Sequence, residues 1–71
     1  MYAEIHRIRG KVISINDKTI IIRTSEIDWA IPYRELKNFP KTGLRKEERR
    51  WLLQLEEKMV IIVADILRID D

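Results

Sequence analysis

The apolar positions of the first half of the chain alternate with polar ones, and the alternation changes phase. In IHRIRGKVISI (5–15), Ile8 and Val12 share one parity while Ile13 and Ile15 share the other. Side chains along a strand point to opposite faces in turn, so a regular strand cannot bury both pairs. A bulge or sharp bend near Gly10 reconciles them, because an isolated strand glycine marks such places. NDK (16–18) is a turn signal, followed by TIIIRT (19–24), the polar pair Ser25–Glu26 and IDWAIPY (27–33). In the last run Ile27, Trp29, Ile31 and Tyr33 face one way, and Asp28, Ala30 and Pro32 the other.

These phases fix a register. A two-residue loop at Ser25–Glu26 pairs Thr24 with Ile27, Ile22 with Trp29 and Ile20 with Ile31. A turn at Asp17–Lys18 pairs Asn16 with Thr19, Ile15 with Ile20 and Ile13 with Ile22. Both hairpins then present one apolar face, which predicts a three-stranded antiparallel meander. Pro32 cannot donate to a ladder, so it belongs at a strand end or on an edge.

RELKNFPKTG (34–43) reads as a connector with one helical turn carrying Leu36, anchored to the core by Phe39, with Thr42 as a helix N-cap. From there the period becomes helical, and a helix is predicted over about 43–58. At 100° per residue, Leu44, Trp51, Leu52, Leu55 and Met59 share one sector, with Glu48 among them. Leu53 falls on the opposite side with Lys46, Arg49, Arg50 and Glu57. KMVIIVADILRID (58–70) is a final strand, apolar without break up to Ala64. Such a run implies burial on both faces or a bend towards two neighbours, with Asp65 marking the bend.

The order is therefore β-β-β-α-β in a single domain, 1–71, of α+β class and mainly β. Two architectures fit. One is a small barrel, SH3-like or resembling the oligonucleotide/oligosaccharide-binding fold, which has a bent first strand, a meander, a helix after the third strand and closing strands, the fifth being here either the second half of 58–70 or missing. The other is an open four-stranded antiparallel sheet with the helix packed on its apolar face.

Composition narrows the function. With 71 residues, no cysteine and one histidine, His6, the chain has neither a disulfide framework nor a structural zinc set, and no cofactor is expected. MYAEIHRIRG has no apolar signal core, and the longest apolar run is too short to span a bilayer, so a cytoplasmic protein without membrane association is expected. Thirteen isoleucines, 37% charged residues and a single glutamine lean towards a thermophile's composition. No glycine-rich phosphate loop exists, because Gly10 and Gly43 stand alone, and no serine–histidine–carboxylate set is apparent. The chain therefore reads as non-enzymatic.

Charge is more informative. The net +2 hides a net +4 over residues 34–50 and a net −3 over residues 51–71. A basic face of Arg7, Arg9, Lys11, Lys41, Arg45, Lys46, Arg49 and Arg50 points to nucleic acid, since clustered cations contact phosphates. Interspersed Glu35, Glu47 and Glu48 fit equally a solvated charged face. For base stacking, Tyr2, Tyr33 and Phe39 are the aromatics expected within reach. The alternative is a protein-interaction or dimerisation module using Leu53, Arg49, Arg50 and an apolar edge at 60–67. Small-molecule binding in a barrel mouth is a third reading without a polar constellation behind it.

Overall fold

A computed structural model describes residues 7–70. His6, Tyr2 and Asp71, with the readings attached to them, lie outside the described residues. The elements are β1 (Arg7–Ile15), β2 (Thr19–Arg23), β3 (Asp28–Pro32), a 3-10 turn (Tyr33–Glu35), α1 (Lys46–Leu53), β4 (Met59–Val63) and β5 (Ile66–Ile69). All five strands join one sheet in the order β3-β2-β1-β4-β5, with every pairing antiparallel. The class is α+β, mainly β, as expected, and the sheet is open but has five strands rather than the four of the open-sheet alternative. The run 58–70 is two strands that fold back at Ala64–Asp65.

The meander has the predicted register in its second hairpin, where Ile20 faces Ile31, Ile22 faces Trp29, and the Thr24 N–H donates to the Ile27 carbonyl. The Thr24 hydroxyl also donates to that carbonyl and accepts from the Ile27 N–H, which pins the loop. In the first hairpin Ile15 faces Ile20, but Ile22 faces Val12 rather than Ile13. The bulge lies between Val12 and Ser14, not at Gly10. It keeps Ile8, Val12 and Ile20 all in the core while restoring the phase of Ile15.

Gly10 serves a different purpose. It is buried opposite Val60, and a Cβ there would run into the Arg23 carbonyl oxygen and lie 2.8 Å from Ile22 Cγ2. β1 therefore passes from β2 to β4 at a point too close for any side chain.

The helix is shorter than the periodicity implied. Its N-cap is Arg45 rather than Thr42, and the Glu48 side chain accepts from the Arg45 N–H at 2.7 Å. This returning bond explains why a carboxylate occupies the apolar sector. The helix stops at Leu53, and Glu57, with φ 67°, turns the chain so that its N–H meets the Val12 carbonyl. Met59, placed on the helix by its spacing, opens β4 and is exposed.

One core joins the sheet, the connector and the helix through Ile8, Val12, Ile20, Ile22, Ile31, Tyr33, Leu36, Phe39, Leu52, Leu55, Val60, Ile62 and Leu67. Trp29 and Trp51 pack against it half-buried, whereas Ile27, expected inside, is largely exposed. The connector also bridges the two outer strands. Asn38 accepts from the Leu67 N–H at 2.6 Å and donates to the Leu67 carbonyl at 3.1 Å, while the Lys37 N–H donates to the Asp65 carbonyl at 2.7 Å. β3 and β5 themselves form no ladder, so the sheet is open.

Candidate nucleic-acid interface

The eight cations selected from the sequence do not form one face. Arg7, Arg9 and Lys11 alternate along β1 on the sheet surface that points away from α1, because the intervening Ile8, Gly10 and Val12 are buried. Lys41, Arg45, Lys46, Arg49 and Arg50 lie on the connector and helix, which cover the opposite, apolar face. Arg45, Lys46, Arg49 and Arg50 are all exposed, as is Leu53 at 58%.

The sheet-face group is largely neutralised. Lys11 stands directly opposite Arg23, a like-charge pair that costs free energy in a ladder. Two carboxylates relieve it. Asp28 takes the Arg23 guanidinium in two bonds of 2.9 and 3.1 Å, and Glu57 meets Lys11 Nζ at 2.8 Å. Asp70 pairs with Arg9 in the same way. Hydrogen bonding to Arg23 holds the Asp28 carboxyl below its ordinary range and raises Arg23, and Lys11 lowers Glu57. A phosphate approaching this face must displace a carboxylate from each of these three cations.

The other side of the molecule differs. A cavity of about 450 Å³ opens between the β1–β2 turn, the end of β3 and the connector. Asp17, Lys18 and Thr19 form one wall, Pro32, Tyr33 and Arg34 a second, and Pro40 to Leu44 the third. The chain builds it from the aromatic side. Tyr33 is buried edge-on against Phe39 at 5.7 Å, and Phe39 packs on Trp51 at 6.2 Å, which ties the 3-10 turn, connector and helix together. The Tyr33 hydroxyl donates to the Asn16 carbonyl at 2.9 Å and its N–H donates to the Lys18 carbonyl at 3.0 Å, fixing the turn. Burial raises the Tyr33 pKa, so the phenol keeps its proton for that bond at neutral pH. Tyr33 and Phe39, expected within reach of bases, are therefore core residues.

Lys18, Arg34 and Lys41 come to this cavity from three separate segments, with Asp17 the one carboxylate among the lining residues. Among the described residues none of the three cations takes part in an ion pair. Asp17 touches Arg49 at 3.5 Å, which places the exposed flank of α1 beside the cavity mouth. Leu44, half-buried, lines the cavity one residue before Arg45.

Lys18 and Arg34 were not selected from the sequence. A signal for them existed in the register: pairing Thr19 with Pro32 puts the β1–β2 turn and the start of the connector at one end of the sheet. No carboxylate or histidine group among the described residues is arranged to hold a metal ion, and no helix among them is long and apolar enough to cross a membrane.

Of the expected interaction edge at 60–67, only Ile66 and Leu67 lie on an edge strand, and residues 60–63 are internal to the sheet. β4 lies between β1 and β5, with Val60 and Ile62 buried, and β5 is the outer strand. What β4 does leave uncovered is its outward row, Met59, Ile61 and Val63, of which Met59 and Val63 are 43% and 47% exposed.

No protein-family model, curated protein or solved structure matches the chain.

Proposed function

We propose that the chain is a non-enzymatic nucleic-acid-binding module that contacts the phosphate backbone through the cavity rim and adjoining helix flank. The residues are Lys18, Arg34, Lys41, Arg45 and Arg49, with Lys46 and Arg50 further out on the helix. The observation that carries this reading is the placement of the ion pairs. Acids offset Arg9, Lys11 and Arg23 on the sheet face, whereas the cavity cations have no such offset among the described residues. Phosphate binding gains from Lys18, Arg34 and Lys41, which need not leave an acidic partner, whereas Arg49 must leave Asp17, and each phosphate neutralised releases counterions condensed on the nucleic acid. The architecture supports the same reading. The bulged β1 pairs with both β2 and β4, and Asn38 ties the connector after β3 to Leu67 on β5, so the open sheet carries the cavity at one end.

Salt titration tests this. Binding of a labelled oligonucleotide should weaken linearly in log salt, with a slope near −0.7 per phosphate contacted on a single strand and near −0.9 on a duplex, about −3 to −4 for five contacts on a single strand. Absence of binding at low salt excludes the reading.

A second reading is an interaction or dimerisation module. The uncovered row Met59, Ile61 and Val63 favours it, together with Leu53 beside Arg49 and Arg50 on the outer helix face. Sedimentation that yields the monomer mass at high concentration removes self-association.

A further inference from the structure

The cavity has features that a flat basic surface lacks. Its volume of about 450 Å³ falls within the range of about 300–1,000 Å³ of sites that enclose small ligands. Its lining combines two chemistries. Lys18, Arg34 and Lys41 supply donors in the forms that suit phosphate oxygens, two ammonium groups and a planar guanidinium fork. Pro32, Pro40 and Leu44 supply apolar surface without competing donors. Asp17 is the unfavourable member, but its carboxylate is drawn towards Arg49. A cationic set interleaved with apolar surface fits a phosphate bearing an attached aromatic group, rather than a free inorganic anion.

We propose that this cavity holds one unpaired nucleotide unit of a bound strand. Lys18, Arg34 and Lys41 take its phosphate, and its base lies against Pro32, Pro40 and Leu44. The inference rests on the nucleic-acid reading and adds strand selectivity to it. A base within a duplex reaches such a cavity only by leaving its stack and its partner, which costs a few factors of ten in affinity. The chain therefore prefers single strands, or duplexes that already offer an unpaired base.

The experiment is fluorescence anisotropy at low salt with one short labelled oligonucleotide in three forms: single-stranded, fully duplexed, and duplexed with a single unpaired nucleotide. The single strand should bind about 100-fold more tightly than the duplex, and the bulged duplex should recover most of that difference. Lys18→Gln combined with Lys41→Gln, both at exposed positions, should shrink the gap by lowering single-strand affinity more than duplex affinity. Equal binding of all three forms would overturn the cavity assignment while leaving backbone binding in place. Equal loss for both strand types in the double variant would do the same. Binding to none of them would overturn the nucleic-acid reading and this inference together.

Discussion

Gly10 shows how one residue can set the course of a sheet. Its missing side chain lets β1 pass within contact of the Arg23 backbone while pairing with Val60 on the other side. The obstacle to a larger residue is a carbonyl held in the β2 segment, which cannot swing away as a flexible side chain could. Gly10→Ala should therefore cost about 1–3 kcal/mol, the usual range for overpacking a core, read as a lower urea midpoint with an unchanged slope. A loss below about 0.5 kcal/mol would mean that β1 can shift there, contrary to the close crossing. Ala64 and Asp65 present the opposite opportunity. Both have positive φ, 52° and 63°, in a two-residue hairpin whose geometry favours Asn-Gly. Ala64→Asn with Asp65→Gly should stabilise the chain by about 1 kcal/mol, measured by the same denaturation. The Asp65 carbonyl that receives the Lys37 N–H is retained in that variant.

At the scale of elements, how far each was legible in the sequence depended on how local its cause is. The β2–β3 register follows from side-chain parity and a two-residue loop, so Ile20–Ile31 and Ile22–Trp29 could be read directly. The bulge was legible as a necessity but not as a place. Parity demands a phase change, and Gly10 is the residue whose type suggests one because glycine is rare inside strands, yet the extra residue is Ile13. The helix is shorter than its spacing implies because Leu55 and Met59 continue the helical period by coincidence. Leu55 is buried by the turn after α1, and Met59 already belongs to β4. The turn in 58–70 is legible at Asp65 as a break in the apolar run, but not as a full hairpin, because it has neither glycine nor asparagine. Glu48 is the reverse case. Its place in the apolar sector looked anomalous, and the cause is a bond to the Arg45 N–H three residues away.

Over the whole molecule, charge is separated by pairing rather than by sequence. The basic stretch 34–50 identified the helix and connector, but it could not reveal that Arg9 and Lys11 meet Asp70 and Glu57, 61 and 46 positions away in the chain. Nor could it bring Lys18 to the same cavity as Lys41 without the strand register. The exposed pairs have a consequence for acid stability. Asp28 and Glu57 have folded-state pKa values below their ordinary 3.8 and 4.5, so the native state holds these protons less tightly than the unfolded chain. Their stabilisation is present above those ordinary values and is lost as pH falls through the lower folded-state values. Asp28→Asn should therefore flatten the acid limb of a urea-midpoint profile below about pH 4 and change it little near neutrality. An unchanged acid limb would show that the Arg23–Asp28 pair contributes no differential proton affinity.

The central claim, that the cavity cations and not the sheet-face cations meet phosphate, is tested most directly by two charge-matched triple variants. One carries Lys18→Gln, Arg34→Gln and Lys41→Gln; the other carries Arg7→Gln, Arg9→Gln and Lys11→Gln. Both remove three positive charges, so long-range attraction falls equally and only the site of contact differs. In oligonucleotide titrations at a fixed low salt concentration, the cavity triple should bind at least tenfold more weakly than the sheet triple and have a salt slope shallower by about 2. The reverse order, with the sheet triple losing binding and the cavity triple keeping it, would contradict the account.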